Sequence, residues 1–411
     1  MTETVSIMPE DATGTPFPPV RRCPVAEPEE YGQIREDGPL VKVTTIGGET
    51  VWWATTQPAA RAILADARFS SDRKRDGFPI FSADERIREN LRQQPSIVMI
   101  GMDGSEHSRT RRSAIGEFTV KRLAGLRPRI QQIVDEFIDA MLASEDRPVD
   151  LVKALSLPVP SLVICELLGV PYADHHFFQE RSGALLSRNT DVAHRQALVQ
   201  ELRDYLGKLV DAKTADPADD MISRLIAKQQ ETGAIDRSEL VGMSFLLLIA
   251  GHETTANMIS LGTIGFLENP EQLAAITADP AKIPMAVEEM LRYFSIADTV
   301  TRVATEDIEV SGITIKAGEG VVASTMAANW DSGTFADADQ LDIERGARHH
   351  VAFGYGPHQC LGQNLARQEL EIVFETLFRR IPDLRLAASI DDIPFKNDGV
   401  VYGAYQVPVT W

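Results

Sequence analysis

The segment "FGYGPHQCLG", from Phe353 to Gly362, places a cysteine among three glycines near the C-terminal end of the chain. Only three cysteines occur in 411 residues, so the setting of Cys360 asks for an explanation. Glycines allow backbone conformations that side chains forbid, and they let backbone amides approach the sulfur. Amides at the start of a following helix add positive potential, which favours a thiolate. The alternative is a small buried apolar side chain without chemistry.

A thiolate at Cys360 has two main uses, as a nucleophile or as a metal ligand. A nucleophile needs a base beside it, and His358 is a candidate. A zinc site needs three or four ligands, and the doubled histidine of the possible set would place neighbours on opposite sides. That set is His349, His350, His358 and Cys360. A haem iron needs only one axial ligand from the protein, and thiolate is one choice.

A long apolar pattern earlier in the chain contains a second unusual segment, "AGHETT", at Ala250–Thr255. The pattern opens at Asp236 and ends at Glu268, before Asn269-Pro270. It predicts a buried helix of about 33 residues, about 50 Å long. Inside it, Thr254 can bond the carbonyl of Ala250, and a buried Glu253 is costly unless it is paired or used. The acid and the hydroxyl together indicate function.

The remaining sequence predicts one mainly α domain with a small β portion over residues 1–411, with a proline-rich, irregular segment at 1–28. The segment "LVKVTTIGGETVWWATT" predicts a hairpin around Gly47-Gly48, and "TRVATEDIEVSGITI" and "EGVVAS" predict further strands. Residues 77–101 read as an irregular, functional loop. Asp216-Pro217 predicts the start of a helix.

Composition limits the partners and the compartment. The net charge of −19 argues against a nucleic-acid partner, which needs a basic surface. Sparse, scattered cysteines favour a reducing compartment, with Cys165 in the core and Cys23 without chemistry. The N-terminal residues lack the pattern of a signal peptide, and the longest apolar run is far below the about 20 residues of a membrane helix. We expect a cytoplasmic protein, without a membrane partner.

These motifs together resemble the cytochrome P-450 superfamily of haem-thiolate monooxygenases. The cysteine loop resembles its haem-binding motif throughout, Glu289-x-x-Arg292 matches its conserved pair, and "AGHETT" matches its oxygen-activation motif. Glu106-His107 with Arg111, and His358 before the cysteine, resemble the soluble bacterial branch. The resemblance implies a long central helix over a haem b, a cysteine-ligand loop on the proximal side, and Cys360 as the axial ligand of the iron.

The resemblance also assigns roles to other residues. The haem propionates would be bound by His107, Arg111, Arg302 and His358, which agrees with the need of buried carboxylates for charged donors. The haem would also contact Phe353, Gly354, Ala250 and Gly362. A buried, structural group of ion pairs would comprise Glu289, Arg292 and Arg345.

In the implied reaction, dioxygen is the co-substrate and the thiolate favours cleavage of the O–O bond. Thr254 would hydrogen-bond the dioxygen, a widened turn at Ala250–Gly251 would make room, and Glu253 would relay protons from water. The alternative is a haem-thiolate protein that binds or senses without oxygenating, or a relative that uses peroxide. The intact acid–hydroxyl pair favours the dioxygen user, and a Cys–His hydrolase would leave the central helix unexplained.

The family layout implies partners as well. Electrons would come from NAD(P)H through a ferredoxin reductase and a ferredoxin, which could dock on a basic patch of Arg109, Arg112 and Arg367. We expect a monomer. The substrate pocket would be lined by mainly aliphatic residues, which fit a sizeable apolar small molecule such as a polyketide, macrolide, steroid-like or terpenoid compound. These residues are Ile97, Val98, Leu246, Ile249, Ala250, Ile296, Thr299, Val300, Val400 and Val401. Near the entrance, Arg73, Lys74 and Arg75 could meet a carboxylate.

Overall fold

The computed structural model describes residues 17–93, 99–188, 190–233 and 235–411, and Tyr172 by its backbone only. Helices form most of the architecture, as the sequence predicts. The helices are α1 (Glu29–Glu36), α2 (Gln57–Ala65), α3 (Glu85–Gln93), α4 (Gly104–Ala114), α5 (Val120–Ala124), α6 (Arg127–Ala143), α7 (Pro158–Leu168), α8 (His175–Leu186), α9 (Val192–Ala215), α10 (Met221–Thr232), α11 (Arg237–Glu268), α12 (Pro270–Ala278), α13 (Ile283–Phe294), α14 (Thr325–Asn329) and α15 (Gln363–Arg380).

The small β portion consists of short strands arranged in three sheets. The strands are β1 (Leu40–Thr44), β2 (Thr50–Ala54), β3 (Phe69–Ser70), β4 (Val149–Asp150), β5 (Thr299–Ala304), β6 (Ile308–Val310), β7 (Ile313–Ile315), β8 (Gly320–Ser324), β9 (Arg385–Leu386) and β10 (Pro408–Thr410). The largest sheet has the order β1-β2-β8-β5-β3, in which β2 and β8 are parallel. The predicted hairpin is confirmed, because β1 and β2 pair antiparallel across Gly47-Gly48.

Helix α11 follows the predicted boundaries closely. Asp236 caps it, since its side chain accepts a hydrogen bond from the Glu239 amide at 2.8 Å while the Glu239 carboxylate accepts one from the Asp236 amide at 2.8 Å. This reciprocal capping box satisfies two amides that a helix start leaves without partners. The helix runs for 32 residues, and most of its side chains are buried.

Glycines allow other helices to approach α11 closely. A Cβ atom at Gly251 would lie 2.8 Å from Ile164 Cδ1 of α7, and one at Gly262 would lie 2.4 Å from Phe374 Cζ of α15. Both distances are too short for a real Cβ contact. Gly251 is therefore explained by helix packing.

Two predictions from local sequence need correction or extension. Helix α10 is capped by Asp220, whose side chain accepts from the Ser223 amide at 2.8 Å, whereas Asp216 ends α9. The Asp220 carboxylate can occupy the capping position because Gly169 has no side chain. A Cβ atom on Gly169 would lie 2.3 Å from Asp220 Oδ2. Within 77–101, the expected irregular segment also holds helix α3.

Residues 17–28, which precede α1, form an irregular segment that packs against the core. Arg21 donates to the carbonyl of Phe294 at 2.5 Å and to that of Pro24 at 2.7 Å, and its guanidinium stacks on Tyr402 at 4.3 Å. The segment thereby covers the end of α13. Across the described ranges, none of the helices has both the length and the apolar character needed to cross a membrane.

We expect Gly262→Ala to destabilise the protein by about 1–3 kcal/mol, because the added methyl group overpacks the α11–α15 contact. Phe374 is fully buried against Phe266 and Phe378, so its ring has little room to move. Thermal unfolding followed by circular dichroism measures the change. Gly116→Ala is the control, because a Cβ atom there meets nothing within 4 Å. Equal melting temperatures for the two variants would contradict the packing argument.

Candidate functional site

The cysteine loop is a tightly folded turn that delivers Cys360 to the start of α15. The Cys360 amide donates to the carbonyl of Phe353 at 2.8 Å, which closes the loop on itself. Gly356 has φ +71°, and a Cβ atom on it would lie 2.5 Å from the carbonyl oxygen of Leu64. Only glycine fits this left-handed position against the backbone of α2.

Burial and hydrogen-bond donors have opposite effects on the pKa of the Cys360 thiol. Burial raises its pKa, opposed by hydrogen bonds from the Gly362 and Gln363 amides and by the nearby Arg111 and Arg367. The amide effect expected from sequence is therefore present, but burial outweighs it. A metal ion bound to the sulfur would favour the thiolate at this position.

Four basic side chains gather beside the loop. The rings of His107 and His358 stack with centroids 4.0 Å apart, and Arg111 donates to the carbonyl of Gln359 at 2.6 Å. Arg302 is 7% exposed and donates to the carbonyl of Thr301 at 2.8 Å. Helix α4, strand β5 and the cysteine loop thus bring together all four predicted propionate ligands.

Burial and the repulsion between neighbouring positive charges both act on this group. Burial, followed by the nearby Arg302, His107 and Arg111, lowers the pKa of His358 to about 3. Burial also lowers the pKa of Arg302 to about 10, opposed by Asp103. Among the described residues, the buried His107 Nε2 has no hydrogen-bond partner.

A bound carboxylate would supply negative charge and an acceptor for His107 Nε2, and the haem that the resemblance implies carries two. Asp103 already accepts hydrogen bonds from Ser70 and from the Ser71 amide, so it does not fill this need. The residues present therefore fit a bound group that carries two acidic arms and a metal ion for Cys360. Haem b is such a group.

Helix α11 has one open face in its otherwise buried middle. Leu246, Ile249 and Thr254 keep accessible surface, and Ala250 is exposed. Ile249, Ala250 and Thr254 follow Leu246 by three, four and eight residues, so all four share one side of the helix. Thr254 Oγ1 donates to the carbonyl of Ala250 at 2.9 Å, as the sequence predicts.

Glu253 occupies a different setting from its neighbour Thr254. It is 6% exposed, and its Oε2 accepts a hydrogen bond from Lys396 Nζ at 3.0 Å. Lys396 also donates to Asn257 Oδ1 at 3.0 Å. Sequence reasoning missed Lys396 and Asn257; the available signal for Lys396 was weak, a lysine that follows the apolar residues Ile393–Phe395 in "DIPFKNDGV".

The predicted structural ion pairs are in contact. Arg292 and Glu289 are fully buried and joined by two hydrogen bonds of 2.8 and 2.7 Å, and Arg345 Nε lies 3.1 Å from Glu289 Oε1. Arg292 also donates to the carbonyls of Asn329 and Ala338 at 2.8 Å. The group thereby ties α13 to the chain that leads into the cysteine loop.

The arginines suggested as a docking patch differ in availability. Arg367 pairs with Glu288 at 2.5 and 3.0 Å and lies over the Phe353 ring at 4.7 Å. Arg109 pairs with Glu239, with one contact of 3.1 Å. Arg112 is exposed. Two of the three charges are thus already balanced within the protein, which sequence alone does not reveal.

The predicted substrate residues divide into several groups. Leu246, Ile249 and Ala250 lie on the open face of α11. A cavity brings together Ile296, Thr299 and Val400, whereas Val401 is buried at 8% exposure. Val300 packs on the core beside the main sheet, and Ile97 and Val98 lie outside the described residues.

The cavity is more polar than the aliphatic list suggests. Besides the three predicted residues, its wall includes Arg21, Arg188, Asp298 and Lys396. Of the basic residues near the entrance, burial lowers the pKa of Arg73, while Lys74 and Arg75 are exposed.

The zinc and hydrolase alternatives fail on contacts. His350 Nε2 lies 3.2 Å from Glu288, and His349 stacks on Phe335 at 4.5 Å. His358 Nε2 lies 3.1 Å from Ser71 Oγ, so its ring is engaged away from the thiol. Within the described part of the chain, no group of three His, Cys, Asp or Glu side chains could hold a metal ion.

Comparison with known proteins gives consistent matches. The family model "Cytochrome P450" matches residues 189–382. Pentalenic acid synthase of Streptomyces avermitilis is 52% identical over 96% of this chain and 97% of its own length. Cytochrome P450 MoxA of Nonomuraea recticatena is 59% identical, with a TM-score of 0.90 over 96% of this chain and 98% of its own. Mycinamicin VIII C21 methyl hydroxylase of Micromonospora griseorubida, solved with mycinamicin VIII bound, is 41% identical, with a TM-score of 0.90 over 97% and 100%.

We expect Arg292→Met to destabilise the protein by about 3–5 kcal/mol, because it strips most of the compensation from a fully buried carboxylate. Denaturant unfolding measures the loss. Arg237→Met is the matched control, since it removes an arginine whose partner Asp211 is exposed, and such pairs contribute about 0–1 kcal/mol. A loss for Arg292→Met no larger than the control's would contradict the structural role.

Proposed function

This chain belongs to the cytochrome P450 family, and from that premise we propose that it inserts one atom of dioxygen into a sizeable apolar small molecule, by hydroxylation or epoxidation. As a P450 monooxygenase it binds haem b and uses dioxygen as co-substrate. The observation that carries the proposal is the convergence of Cys360 with four basic side chains, of which the buried His107 has no hydrogen-bond partner for its Nε2 among the described residues.

We assign the cofactor contacts to these same residues. Cys360 would be the axial ligand, and His107, Arg111, Arg302 and His358 would hold the two propionates. When bound, a haem with thiolate ligation supplies the activation of dioxygen and the oxidising power for the substrate. Phe353, Gly354 and Gly362 of the cysteine loop, and Ala250 on the open face of α11, would line the cofactor.

The protein's own contribution is proton supply and exclusion of water. At the open face of α11, the Thr254 hydroxyl donates its hydrogen bond to the carbonyl of Ala250. We assign it to donate that hydrogen bond to dioxygen, and we assign Glu253, the preceding residue, to replace the proton. The pair favours dioxygen use over peroxide use, because peroxide brings its own protons.

The partner assignments follow from the family layout. A ferredoxin, reduced by a ferredoxin reductase with NAD(P)H, would deliver electrons at the cysteine side, where Arg112 is the exposed arginine of the three suggested. We keep a cytoplasmic location and a monomeric state as parts of this proposal, to be tested by cell fractionation and size-exclusion chromatography.

A macrolide, polyketide, steroid-like or terpenoid compound fits the proposed substrate class. The open face of α11 offers aliphatic side chains, and a separate cavity is lined in part by Ile296 and Val400. One relative is named for synthesis of pentalenic acid, and another for hydroxylation of mycinamicin VIII. A panel of such compounds, which includes mycinamicin VIII, is screened for the shift of the ferric enzyme to high spin. The compound that shifts the largest fraction of the enzyme is used below as the probe compound.

The first test is the spectrum of the dithionite-reduced protein under carbon monoxide. We expect a strongly red-shifted Soret band, because a thiolate trans to the gas donates electron density to iron. Cys360→His should lose that shift, while the control Cys23→Ser, at an exposed cysteine, should keep it. A Soret band typical of histidine ligation in the unmodified protein would overturn the function and the role of Cys360.

The second test is Thr254→Ala with the probe compound. Product formed per NADPH should fall by about tenfold or more, with peroxide released instead, because general acid–base groups contribute about 10²–10⁴-fold. Thr263→Ala is a matched control, since its hydroxyl makes the same bond to Ile259 at 2.8 Å in a buried part of α11. Full coupling in Thr254→Ala would contradict the proton-delivery role.

A further inference from the structure

The carboxylate of Glu253 is held by a residue from a distant part of the chain. Lys396 Nζ donates to Glu253 Oε2 and to Asn257 Oδ1, each at 3.0 Å, and all three side chains are largely buried. Glu253 and Asn257 are four residues apart, so they lie on one side of α11. A single ammonium group thus bridges two consecutive turns of the helix beside Thr254.

The backbone around Lys396 is fixed against α11. Phe395 pairs with Ala404 in an antiparallel bridge, and the Lys396 amide donates to the carbonyl of Gly403 at 2.8 Å, which defines a C-terminal hairpin of residues 395–404. Gly403 lies against α11, because a Cβ atom there would be 2.0 Å from Asn257 Oδ1. The backbone of Lys396 is therefore held against α11 by hydrogen bonds and packing within the C-terminal hairpin, which places its side chain near Glu253.

The other end of this C-terminal hairpin contacts the segment that follows α8. The Val400 amide donates to the carbonyl of Leu186 at 2.9 Å, and the Arg188 amide donates to that of Asp398 at 2.8 Å. Lys396 and Val400 also line the cavity that holds Ile296 and Thr299. One short hairpin thus joins the wall of the proposed substrate cavity to the acid on α11.

We propose that Lys396 is a positioning residue for proton delivery: its ammonium group fixes the carboxylate of Glu253, the residue that precedes Thr254, through a buried ion pair. This inference rests on the proposed function and adds to it a residue outside the recognised motifs. A carboxylate must be ionised to accept a proton from water and pass it on. Burial favours the neutral acid, and an adjacent ammonium group reverses that preference.

Few other groups could take over this role. His252 precedes Glu253, but its Nδ1 is engaged with the carbonyl of Leu248 at 2.8 Å, and burial lowers its pKa. Tyr405 lies within electrostatic range of Glu253, and its hydroxyl donates to Asp398 at 2.6 Å. Helix α8 presents Gly183 to the other oxygen, Oε1. Lys396 is therefore the cationic partner among the described residues.

Lys396→Met tests the inference, because it removes the charge and keeps an apolar side chain of similar length. Infrared spectroscopy of the ferric resting enzyme reads the protonated carboxyl group directly and needs no substrate. We expect Lys396→Met to gain a protonated-carboxyl band that disappears in the double variant with Glu253→Gln.

Turnover with the probe compound gives a second readout. Product per NADPH in Lys396→Met should fall about tenfold at neutral pH and recover as the pH rises, since a higher pH restores the charged carboxylate. Lys396→Arg should keep the coupling and the pH profile. Lys316→Met, which removes the lysine of an exposed pair with Asp307, is the control and should resemble the unmodified enzyme.

The outcomes separate this inference from the proposed function. A red-shifted Soret band under carbon monoxide in each variant shows an intact haem site. Given that band, an unchanged infrared spectrum and pH profile in Lys396→Met would overturn the role of Lys396 and leave the function standing. If Lys396→Met does not fold, Lys396→Gln carries the same test. Failure of the unmodified protein to show the band would overturn the function itself.

Discussion

The structure depends on how buried charges are compensated around one cysteine loop. Behind the loop, compensation comes from the protein: the carboxylate of Glu289 is shared by two arginines, and Glu288 binds Arg367 and His350. In front of the loop, the described residues place one carboxylate, Asp103, near the arginines and histidines, and it already accepts hydrogen bonds from Ser70 and the Ser71 amide. A buried charge without a partner is costly, so this side is complete only with a ligand that carries negative charge. The loop thus lies between a self-sufficient support and an incomplete site.

Helix α11 connects this site to the rest of the molecule. Its glycines let α7 and α15 pack against it at distances that exclude a side chain. Its open face carries Thr254, while the adjacent Glu253 points to a different neighbour, the C-terminal hairpin. Successive helical residues lie about 100° apart, so an acid and a hydroxyl next to each other in sequence have separate environments. Thr254 lies on the open face of α11, whereas Glu253 pairs with Lys396 of the C-terminal hairpin.

Pairing inside the protein also limits what the surface offers to partners. In an acidic protein, clustered arginines predict a docking surface for an acidic partner. Arg367 and Arg109, however, form ion pairs with glutamates of the same chain. The proposed substrate cavity shows the opposite case, since charged side chains line part of a wall expected to be aliphatic. Both results come from side chains that approach across the fold.

The sequence by itself determined the features whose physics is local. The glycine-rich cysteine loop, the capping of α11 at Asp236, the hairpin at Gly47-Gly48 and the Thr254 bond to Ala250 depend on neighbours within a few residues. The cysteine loop and "AGHETT", together with Glu289-x-x-Arg292 and Glu106-His107, also carried the resemblance from which haem binding and the four propionate ligands were expected.

The tertiary structure alone decided which distant groups meet. Lys396 lies 143 residues from Glu253, and Asp220 is chosen over Asp216 because Gly169 leaves room for it. The high pKa of the Cys360 thiol also comes from burial by the whole fold, which outweighs the local amides. Desolvation and the partners of charged groups depend on three-dimensional neighbours, and linear spacing does not encode them.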